Sequence, residues 1–177
     1  MNSLSGRNAV DDITLIPASP AERPILENLM HLYLYDFTEY TGEDADEQGR
    51  FTDEHLPKYW VEPNRYPFLV KVNDHPAGFA LVRAVPDPIS GKLTYHMAEF
   101  FIMRKYRRRK IGRHVAFSIF DRFPGHWHVE QEEKNLPAQS FWRKIIGEYT
   151  GGRFEEFRQA PHHHPYQVFD APARKSE

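Results

Sequence analysis

Apolar and polar positions alternate along this chain in a pattern that predicts short strands mixed with amphipathic helices. Seven segments have the period-two alternation, or the β-branched and aromatic runs, that are typical of strands. These candidate strands cover residues 13–18, 66–72, 77–85, 94–103, 127–131, 149–157 and 166–169. Three further segments have apolar residues at helical spacing, at Ile25, Leu29, Leu32 and Leu34, then at Ile111, Val115 and Ile119, then at Ala138, Phe141, Trp142 and Ile145. From Thr94 onward the pattern predicts a strand, a tight basic loop and a helix in direct succession.

The length and composition fit one domain without a covalent framework. A chain of 177 residues with 40% hydrophobic residues can build one ordinary core, which we expect over residues 13–170 between loose tails at 1–12 and 171–177. The chain has no cysteine, which excludes disulfides, thiolate metal sites and a cysteine nucleophile. Neither a secretory signal at the start nor an apolar run of about 18 residues is found. We therefore expect a soluble, cytoplasmic protein with no membrane partner.

Charge is unevenly placed along the chain, although the net charge is only -2. Eight acidic residues and one cation, Arg50, lie between Tyr35 and Leu56. The ten residues from Arg104 to Arg113 contain seven cations. We interpret the acidic stretch as a solvated loop, and the alternative is one wall of an entrance that attracts cationic amines.

The basic run lies where the second predicted helix begins, and this placement is electrostatically unusual. The start of a helix is the positive end of its dipole, so a cation there normally costs about 0.3 to 1 kcal/mol. No Ser, Thr, Asp or Asn is present to cap the helix at Ile111, so its free N–H groups point into a cationic loop. This arrangement predicts a bound polyanion. The alternatives are a solvated loop and a nucleic-acid site, but Tyr106 is the only aromatic residue inside the run.

Two motifs in this region resemble those of the GNAT superfamily of N-acetyltransferases. Arg107-x-x-Lys110-x-Gly112 is similar to the loop that binds the coenzyme A pyrophosphate in that family. Lys110 occupies the position of the first glycine in the family pattern, and lysine adopts a positive φ less readily than glycine. Asn135-x-x-Ala138 is similar to the motif on the helix that flanks coenzyme A. The resemblance extends over roughly residues 13–157.

The resemblance implies an α/β fold of the GNAT type, with a mixed central sheet of about six or seven strands flanked by helices. The sheet would open between the central strand and the strand that begins near Trp127, and acetyl-CoA, the acyl donor, would enter the gap. Backbone groups would hold its pantetheine arm, and N–H groups after the central strand would hold its pyrophosphate. The expected cofactor-binding residues are Ile102, Met103, Arg107, Arg108, Arg109, Lys110, Ile111, Gly112, Arg113, Asn135 and Trp142.

A direct attack by an amine on the thioester needs a base and a donor for the departing thiolate. Glu99 is the best candidate base, because it is a carboxylate within a very apolar strand, where burial raises a carboxyl pKa. A structural ion pair is the alternative role for Glu99, and His96 is the weaker alternative base. The family's usual tyrosine acid is replaced by Trp142, whose indole cannot protonate a thiolate. Either Tyr149 or another tyrosine substitutes, or the thiolate leaves with help from hydrogen bonds and water.

The sequence therefore predicts N-acetylation of a primary amine, on a small molecule or a protein, in a ternary complex. A catalytically silent module that binds coenzyme A is the main alternative. Residues His162 to His164 are expected in a surface loop, and no structural metal is expected, since consecutive histidines do not converge on one ion. A homodimer is compatible with the sequence, which does not identify the acceptor.

Overall fold

A seven-stranded mixed sheet forms the centre of the protein in the computed structural model, which describes residues 11–159 and 163–173. Its strands are β1 (Ile13–Pro17), β2 (Arg65–Val72), β3 (His75–Pro86), β4 (Leu93–Ile102), β5 (Gly125–Glu130), β6 (Glu155–Gln159) and β7 (His164–Ala171). The spatial order is β1-β2-β3-β4-β5-β7-β6. Among these described strands, only β4 and β5 pair in parallel. The mixed sheet expected from the sequence is thereby confirmed.

Three α-helices and two 3-10 turns connect the strands within the described ranges. The helices are α1 (Arg23–Thr41), α2 (Ile111–Arg122) and α3 (Leu136–Thr150), and the 3-10 turns are Leu56–Trp60 and Arg104–Tyr106. Helix α1 continues into the acidic stretch, and Gly42, with a φ of 71°, caps its end. Residues 42–50 beyond the helix are exposed, as expected of a solvated loop.

The end of α3 differs from the sequence prediction. We expected Gly147 to end this helix and a strand to begin at Tyr149, but α3 continues to Thr150 and is capped by Gly151, with a φ of 63°. Gly147 lies within the helix, where a glycine costs only about 1 kcal/mol relative to alanine. The packing of Ile145, Ile146 and Tyr149 in the core outweighs that cost.

The sheet separates two hydrophobic cores. Leu69 faces the core under α1, whereas its neighbours Phe68 and Val70 face the core that α2 and α3 help to form. This alternation follows from the period of two along a strand. Helices α1 and α2 therefore cover opposite faces of the sheet, and β4 is buried between them.

Strand β4 is distorted at the position where it separates from β5. Leu81 of β3 pairs with Glu99 and Val82 pairs with Met97, so Ala98 is an extra residue that forms a bulge. The parallel pairing of β4 with β5 covers only Thr94 to His96. Beyond His96 the two strands diverge, which leaves the wedge-shaped gap predicted from the family resemblance.

Two of the sequence predictions concern the chain termini and the membrane. The predicted tails at 1–12 and 171–177 lie largely outside the described residues. No helix in the described ranges is both long and apolar enough to cross a membrane.

Candidate active site

The gap between β4 and β5 contains two cavities that meet at the centre of the molecule. The larger cavity has a volume of about 1070 Å³ and lies beside the start of α2. The smaller cavity has a volume of about 490 Å³ and lies over β2 to β5. The residues that line both are Tyr33, Phe37, Phe100, Asn135, Ala138 and Trp142. The two cavities thus form one continuous cleft, and a molecule in one can touch a molecule in the other.

The backbone at the start of α2 leaves an unusual number of donors free. Within the described residues, none of the six backbone N–H groups from Arg108 to Arg113 donates a hydrogen bond to a protein atom. Lys110 is the N-cap residue, with a φ of 61° and no side-chain cap, and Arg108 has a φ of 63°. Alternating left-handed and right-handed residues turn successive N–H groups toward one point and form an anion-binding concavity. The left-handed conformation costs a residue other than glycine about 1 to 2 kcal/mol.

Four of the seven cations in the basic run form ion pairs with described residues. Arg104 and Arg107 both bind the Asp36 carboxylate of α1, each at 2.8 Å. Arg107 also donates from Nε to the Ile102 carbonyl at 2.7 Å, which holds the loop against the end of β4. The other two ion pairs join Arg109 to Asp11 and Arg113 to Glu148. These four side chains fix the loop's position.

Arg108 and Lys110 are the two members of the run that line the larger cavity without a carboxylate partner among the described residues. Lys144 of α3 lines the same cavity from the opposite side and also forms no ion pair there. Three cations and four residues with free N–H groups, Arg108, Lys110, Gly112 and Arg113, therefore line one space. A diphosphate or a similar polyanion is the ligand that satisfies both sets of donors.

Gly112 sets the distance between α2 and α3 beside this space. A Cβ atom at position 112 would lie 3.2 Å from ring atoms of Phe141, which lines the larger cavity, and 3.8 Å from Phe100. The backbone of Gly112 is helical, so the glycine is needed for close approach and not for its φ. Phe100, Phe141 and Trp142 pack together next to it, with ring centroids 5.0 to 5.8 Å apart.

Among the other predicted cofactor residues, some polar groups already form hydrogen bonds within the protein. The Asn135 side chain accepts a hydrogen bond from the Ala138 N–H at 3.1 Å and so caps α3. The Met103 N–H donates to the Ala77 carbonyl at 2.8 Å, and Met103 does not line either cavity. Ile102 lines the larger cavity. Their roles in holding a ligand stay predictions.

Glu99 lies in the smaller cavity, close to its junction with the larger one. The Tyr33 hydroxyl of α1 donates a hydrogen bond to Glu99 Oε2 at 2.5 Å. The pKa of Glu99 is raised to about 7, chiefly by burial and with a smaller contribution from the charge of Asp53, against the opposing effects of the Tyr33 hydrogen bond and Arg83. A carboxyl group with this pKa is half ionised near neutral pH and can accept a proton there. The bulge at Ala98 gives Glu99 this orientation, because Ala98 and Glu99 both lie on the face of β4 covered by α1.

His96 also lines the smaller cavity, stacked on His128 of β5 with ring centroids 4.9 Å apart. The pKa of His96 is lowered to about 4, chiefly by burial and with smaller contributions from His128 and Arg83. A base with this pKa is weaker than Glu99, which agrees with its place as the second choice.

A family model described as the acetyltransferase (GNAT) family matches residues 26–147, which is more than half of the chain. The chain belongs to the GNAT acetyltransferase family. The matched residues extend from α1 to α3 and include the free N–H groups, Glu99 and the capping Asn135. Among curated proteins, none matches the sequence.

Three solved structures illustrate the fold that this GNAT protein shares. An acetyltransferase from Thermus thermophilus has a TM-score of 0.65 and 18% identity, covering 91% of this chain and 98% of that chain. Spermidine N-acetyltransferase from Vibrio cholerae, in complex with CoA and spermine, has a TM-score of 0.59 and 11% identity, covering 90% and 95%. An aminoglycoside acetyltransferase from an uncultured soil metagenomic sample, in complex with sisomicin, has a TM-score of 0.60 and 16% identity, covering 75% and 86%. At these identities the likeness establishes the GNAT fold alone.

Tyr149 lies apart from the cleft of this GNAT protein. Its hydroxyl donates to Asp121 Oδ1 at 2.9 Å, and its ring packs against Phe117 and Phe120 between α2 and α3. It lines neither of the two cavities. The sequence prediction had placed Tyr149 at the start of a strand. Because α3 continues past Gly147, Tyr149 lies on this helix and its ring packs against α2. This position argues against its predicted role as the general acid.

His164 also differs from expectation, because it begins β7 and does not lie in a surface loop. Its Nδ1 is 3.1 Å from Glu130 and its Nε2 is 3.3 Å from Glu132, at the rim of the smaller cavity. His162 lies outside the described residues. Across the described ranges, no three His, Asp or Glu side chains form a group that could hold a metal ion.

Sequence reasoning missed the contributions of Tyr33 and Arg83 to the cleft. Tyr33 continues the buried stripe of Leu26, Leu29 and Met30 on α1. The sequence prediction included Leu29 but continued the stripe to Leu32 and Leu34 instead of Tyr33. Leu32 is in fact 42% exposed. A polar tyrosine on the buried face of a helix was the signal that could have found it. The sequence around Arg83 did not indicate a role for it, because the strand register brings Arg83 next to Arg65 and His96.

Proposed function

We propose that this protein transfers an acetyl group from acetyl-CoA to a primary amine in a ternary complex, with Glu99 as the base. The observation that carries the proposal is the continuity of the cleft. Free N–H groups from Arg108 to Arg113 lie at one end and Glu99 lies in the other cavity, with Phe100 and Trp142 lining both. Family membership supports acetyl transfer, and the fold relative from Vibrio cholerae was solved with CoA and spermine.

The donor's phosphates fit the larger cavity on chemical grounds. The free N–H groups at the start of α2 are preoriented donors, and Arg108, Lys110 and Lys144 supply positive charge without having to break an ion pair first. Bound acetyl-CoA would supply the acetyl group as a thioester. Phe100, Phe141 and Trp142 form an apolar wall that excludes water from the junction of the cavities.

Glu99 acts on the acceptor amine in the smaller cavity. An amine attacks only when its nitrogen is unprotonated, so a carboxylate whose pKa has been raised to about 7 is well suited to remove the proton. Tyr33 orients this carboxylate through the 2.5 Å hydrogen bond. Its ring is held in turn against Phe37, Phe79 and Phe101, so the pair is rigid.

Tyr33 is also well placed to deliver a proton to the thiolate, because it lines both cavities whereas Trp142 has no proton to give. Once Glu99 holds the proton taken from the amine, the Tyr33 oxygen can accept it and donate its own proton toward the sulfur side of the junction. This path replaces the role that the sequence analysis gave to Tyr149.

Two measurements on the purified protein test the proposal. Calorimetry with acetyl-CoA should show binding, and a panel of primary amines with thiol-release detection should show turnover of at least one. We expect Glu99→Gln to lower kcat by about 10²- to 10⁴-fold, the usual contribution of a general base, with acetyl-CoA affinity unchanged. Below pH 7 the wild-type kcat/KM should rise with pH as Glu99 loses its proton, and the variant should lack this dependence.

Glu132→Gln is the matched control, because Glu132 lines the same cavity but pairs with His164. It should retain most of the activity. Binding of acetyl-CoA without turnover of any amine would favour a silent coenzyme A module. Absence of acetyl-CoA binding, together with salt-sensitive RNA or DNA binding, would favour the nucleic-acid alternative.

A further inference from the structure

Four basic or titratable side chains form a straight row across the floor of the smaller cavity. Arg65 of β2 pairs with Arg83 of β3, Arg83 pairs with His96 of β4, and His96 pairs with His128 of β5. Residues directly opposite on neighbouring strands share a face of the sheet, and all four line the smaller cavity. Because the row crosses four strands from distant parts of the sequence, it is invisible without the strand register.

Arg83 is the member of this row whose charge is left without a partner among the described residues. Arg65 pairs with Glu62 at 2.6 Å and lies over the Tyr59 ring, with its Cζ atom 5.2 Å from the ring centroid. The histidines stack on each other, and burial lowers the pKa of both, so they are neutral at pH 7. Arg83 forms no ion pair or hydrogen bond from its side chain in the part of the chain that the structure describes.

The guanidinium charge of Arg83 influences several titratable groups that line the smaller cavity. Burial raises the pKa of Glu99 and Tyr59 and lowers the pKa of His96 and His128, and the charge of Arg83 is a smaller influence that lowers all four. All four groups line the cavity, and the exposed Arg83 side chain lines it as well. Two like charges directly opposite on a sheet, such as Arg65 and Arg83, are destabilising. A bound anion would remove this repulsion and give Arg83 the bidentate partner that its fork of donors matches.

The acidic groups of the same cavity divide into two sets. Glu130 and Glu132 at the rim are engaged by His164. Glu99 and Asp53 line the cavity without an ion-pair partner among the described residues, and the charge of Asp53 adds to the effect of burial in raising the pKa of Glu99. An ammonium group entering the cavity would therefore be attracted to Glu99 and Asp53, while an acid group would be attracted to Arg83.

We infer that the acceptor is a compact amine that also carries an acidic group, with the acidic group bound by Arg83 and the amine placed at Glu99. This inference rests on the proposed function and names the class of acceptor for the same site. It contrasts with the purely cationic acceptor that the acidic stretch of the sequence would attract. Within that stretch, Asp53 is the one acidic residue that the structure places in the lining of the smaller cavity.

The spacing of the two groups favours a small acceptor. Leu81, the cross-strand partner of Glu99, lies two positions before Arg83. Two strand positions and one strand spacing separate the Arg83 and Glu99 backbones by roughly 8 Å. Because both side chains line the same cavity, an amino acid or a molecule of similar length, with its amine and its acid a few bonds apart, matches this separation.

Binding measurements on the full chain saturated with CoA test this inference independently of turnover. Calorimetry should compare amino acids with the corresponding amino acid amides, and phosphoethanolamine with ethanolamine, so that each pair differs in the acidic group alone. We expect the acidic member of at least one pair to bind about 10- to 100-fold more tightly, as a charge-assisted hydrogen-bonded pair provides. The two pairs distinguish a carboxylate from a phosphate as the acidic group.

Arg83→Gln should abolish this preference, and Arg83→Lys should restore part of it, since lysine keeps the charge but not the planar fork. Affinity for CoA should not change in either variant. Arg83→Gln should keep or raise the melting temperature, because it removes the repulsion with Arg65, and this readout shows that the variant folds. Lys92→Gln removes an exposed cation that lines neither cavity and is the matched control.

Neutral or cationic amines that bind as tightly as their acidic counterparts would overturn the inference, as would an acid preference that survives Arg83→Gln. These results differ from a failure of the proposed function, which is an absence of turnover. Acid-selective binding that depends on Arg83 supports the inference even if no tested amine is acetylated.

Discussion

The two halves of the cleft are built by different means. The larger cavity obtains its chemistry from one continuous segment, in which free backbone N–H groups and two cations without ion-pair partners among the described residues lie between Arg108 and Arg113. The smaller cavity obtains its chemistry from side chains on separate elements. Tyr33 comes from α1, Arg83 from β3, Glu99 from β4 and His128 from β5.

This difference agrees with the ligands that we propose for the two cavities, a diphosphate for the larger and an acceptor amine for the smaller. A diphosphate is the same in every donor molecule, and a run of preoriented N–H groups binds it with little help from the rest of the fold. In the proposed function the smaller cavity binds the acceptor, and its lining side chains can vary without disturbing the backbone between Arg108 and Arg113. The largest experimental effects should therefore separate cleanly into losses of donor affinity and losses of acceptor chemistry.

The largest effect that we expect on the donor side comes from reversing the charges of Arg108 and Lys110. The double variant Arg108→Glu and Lys110→Glu should weaken acetyl-CoA binding by about 100-fold or more, because each charge reversal removes an attraction of more than about 1 kcal/mol and adds a repulsion. Calorimetry at two salt concentrations should show that the remaining affinity depends less on salt.

Lys105→Glu is the control for this variant, since Lys105 is in the same basic run but does not line the larger cavity. Its effect on affinity should be less than about threefold at moderate salt, where exposed charges are screened. Equal losses of affinity in the two variants would mean that acetyl-CoA binding depends only on the total charge of the basic run. That result would contradict a specific role for the cations that line the larger cavity.

A smaller effect, confined to the acceptor side, is expected from Tyr33→Phe. The Tyr33 hydrogen bond lowers the pKa of Glu99, so its removal raises that pKa above its present value of about 7. The rise of kcat/KM with pH should then move to higher pH. If the pKa rises by about one pH unit, the ionised fraction of Glu99 at pH 7 falls about fivefold, so kcat/KM should fall at least fivefold, and loss of the proposed proton transfer from Tyr33 should lower kcat further. Affinity for acetyl-CoA should stay the same.

Tyr40→Phe is the control, because Tyr40 lines the larger cavity but not the smaller one. It should leave the pH profile in place. A profile that does not move in Tyr33→Phe would show that Glu99 is not the group that titrates in the rate.

The smallest expected effect concerns the backbone conformation of Lys110 at the start of α2. Lys110→Gly and Lys110→Ala remove the same charge, but only glycine adopts the φ of 61° without strain. The glycine variant should be more stable than the alanine variant by about 1 kcal/mol, measured by urea unfolding, and both should lose affinity for acetyl-CoA to a similar extent. A less stable glycine variant would contradict the left-handed conformation of Lys110.

Sequence reasoning predicted the helix that begins beside the larger cavity and the strand that carries Glu99. The motif at Arg107 to Gly112 predicted a helix start at Ile111, and α2 begins there. Lys110 stands at a glycine position of the family pattern, where a helical conformation would have suited lysine, but its φ of 61° is left-handed and is a conformation that favours glycine. The predicted position of Tyr149 was wrong, because core packing carries α3 past Gly147, where the sequence pattern ended the helix.

The chain by itself determined the features that depend on near neighbours in sequence, namely the helix and strand periods, the cap at Asn135 and the concentration of cations before α2. Only the tertiary structure decided which of those cations form ion pairs, since Asp36 lies about 70 positions from its arginine partners. It also decided that Arg65, Arg83, His96 and His128 form one row. The register of a sheet depends on the burial of whole strands, and a shift of one residue would turn each of these side chains to the opposite face.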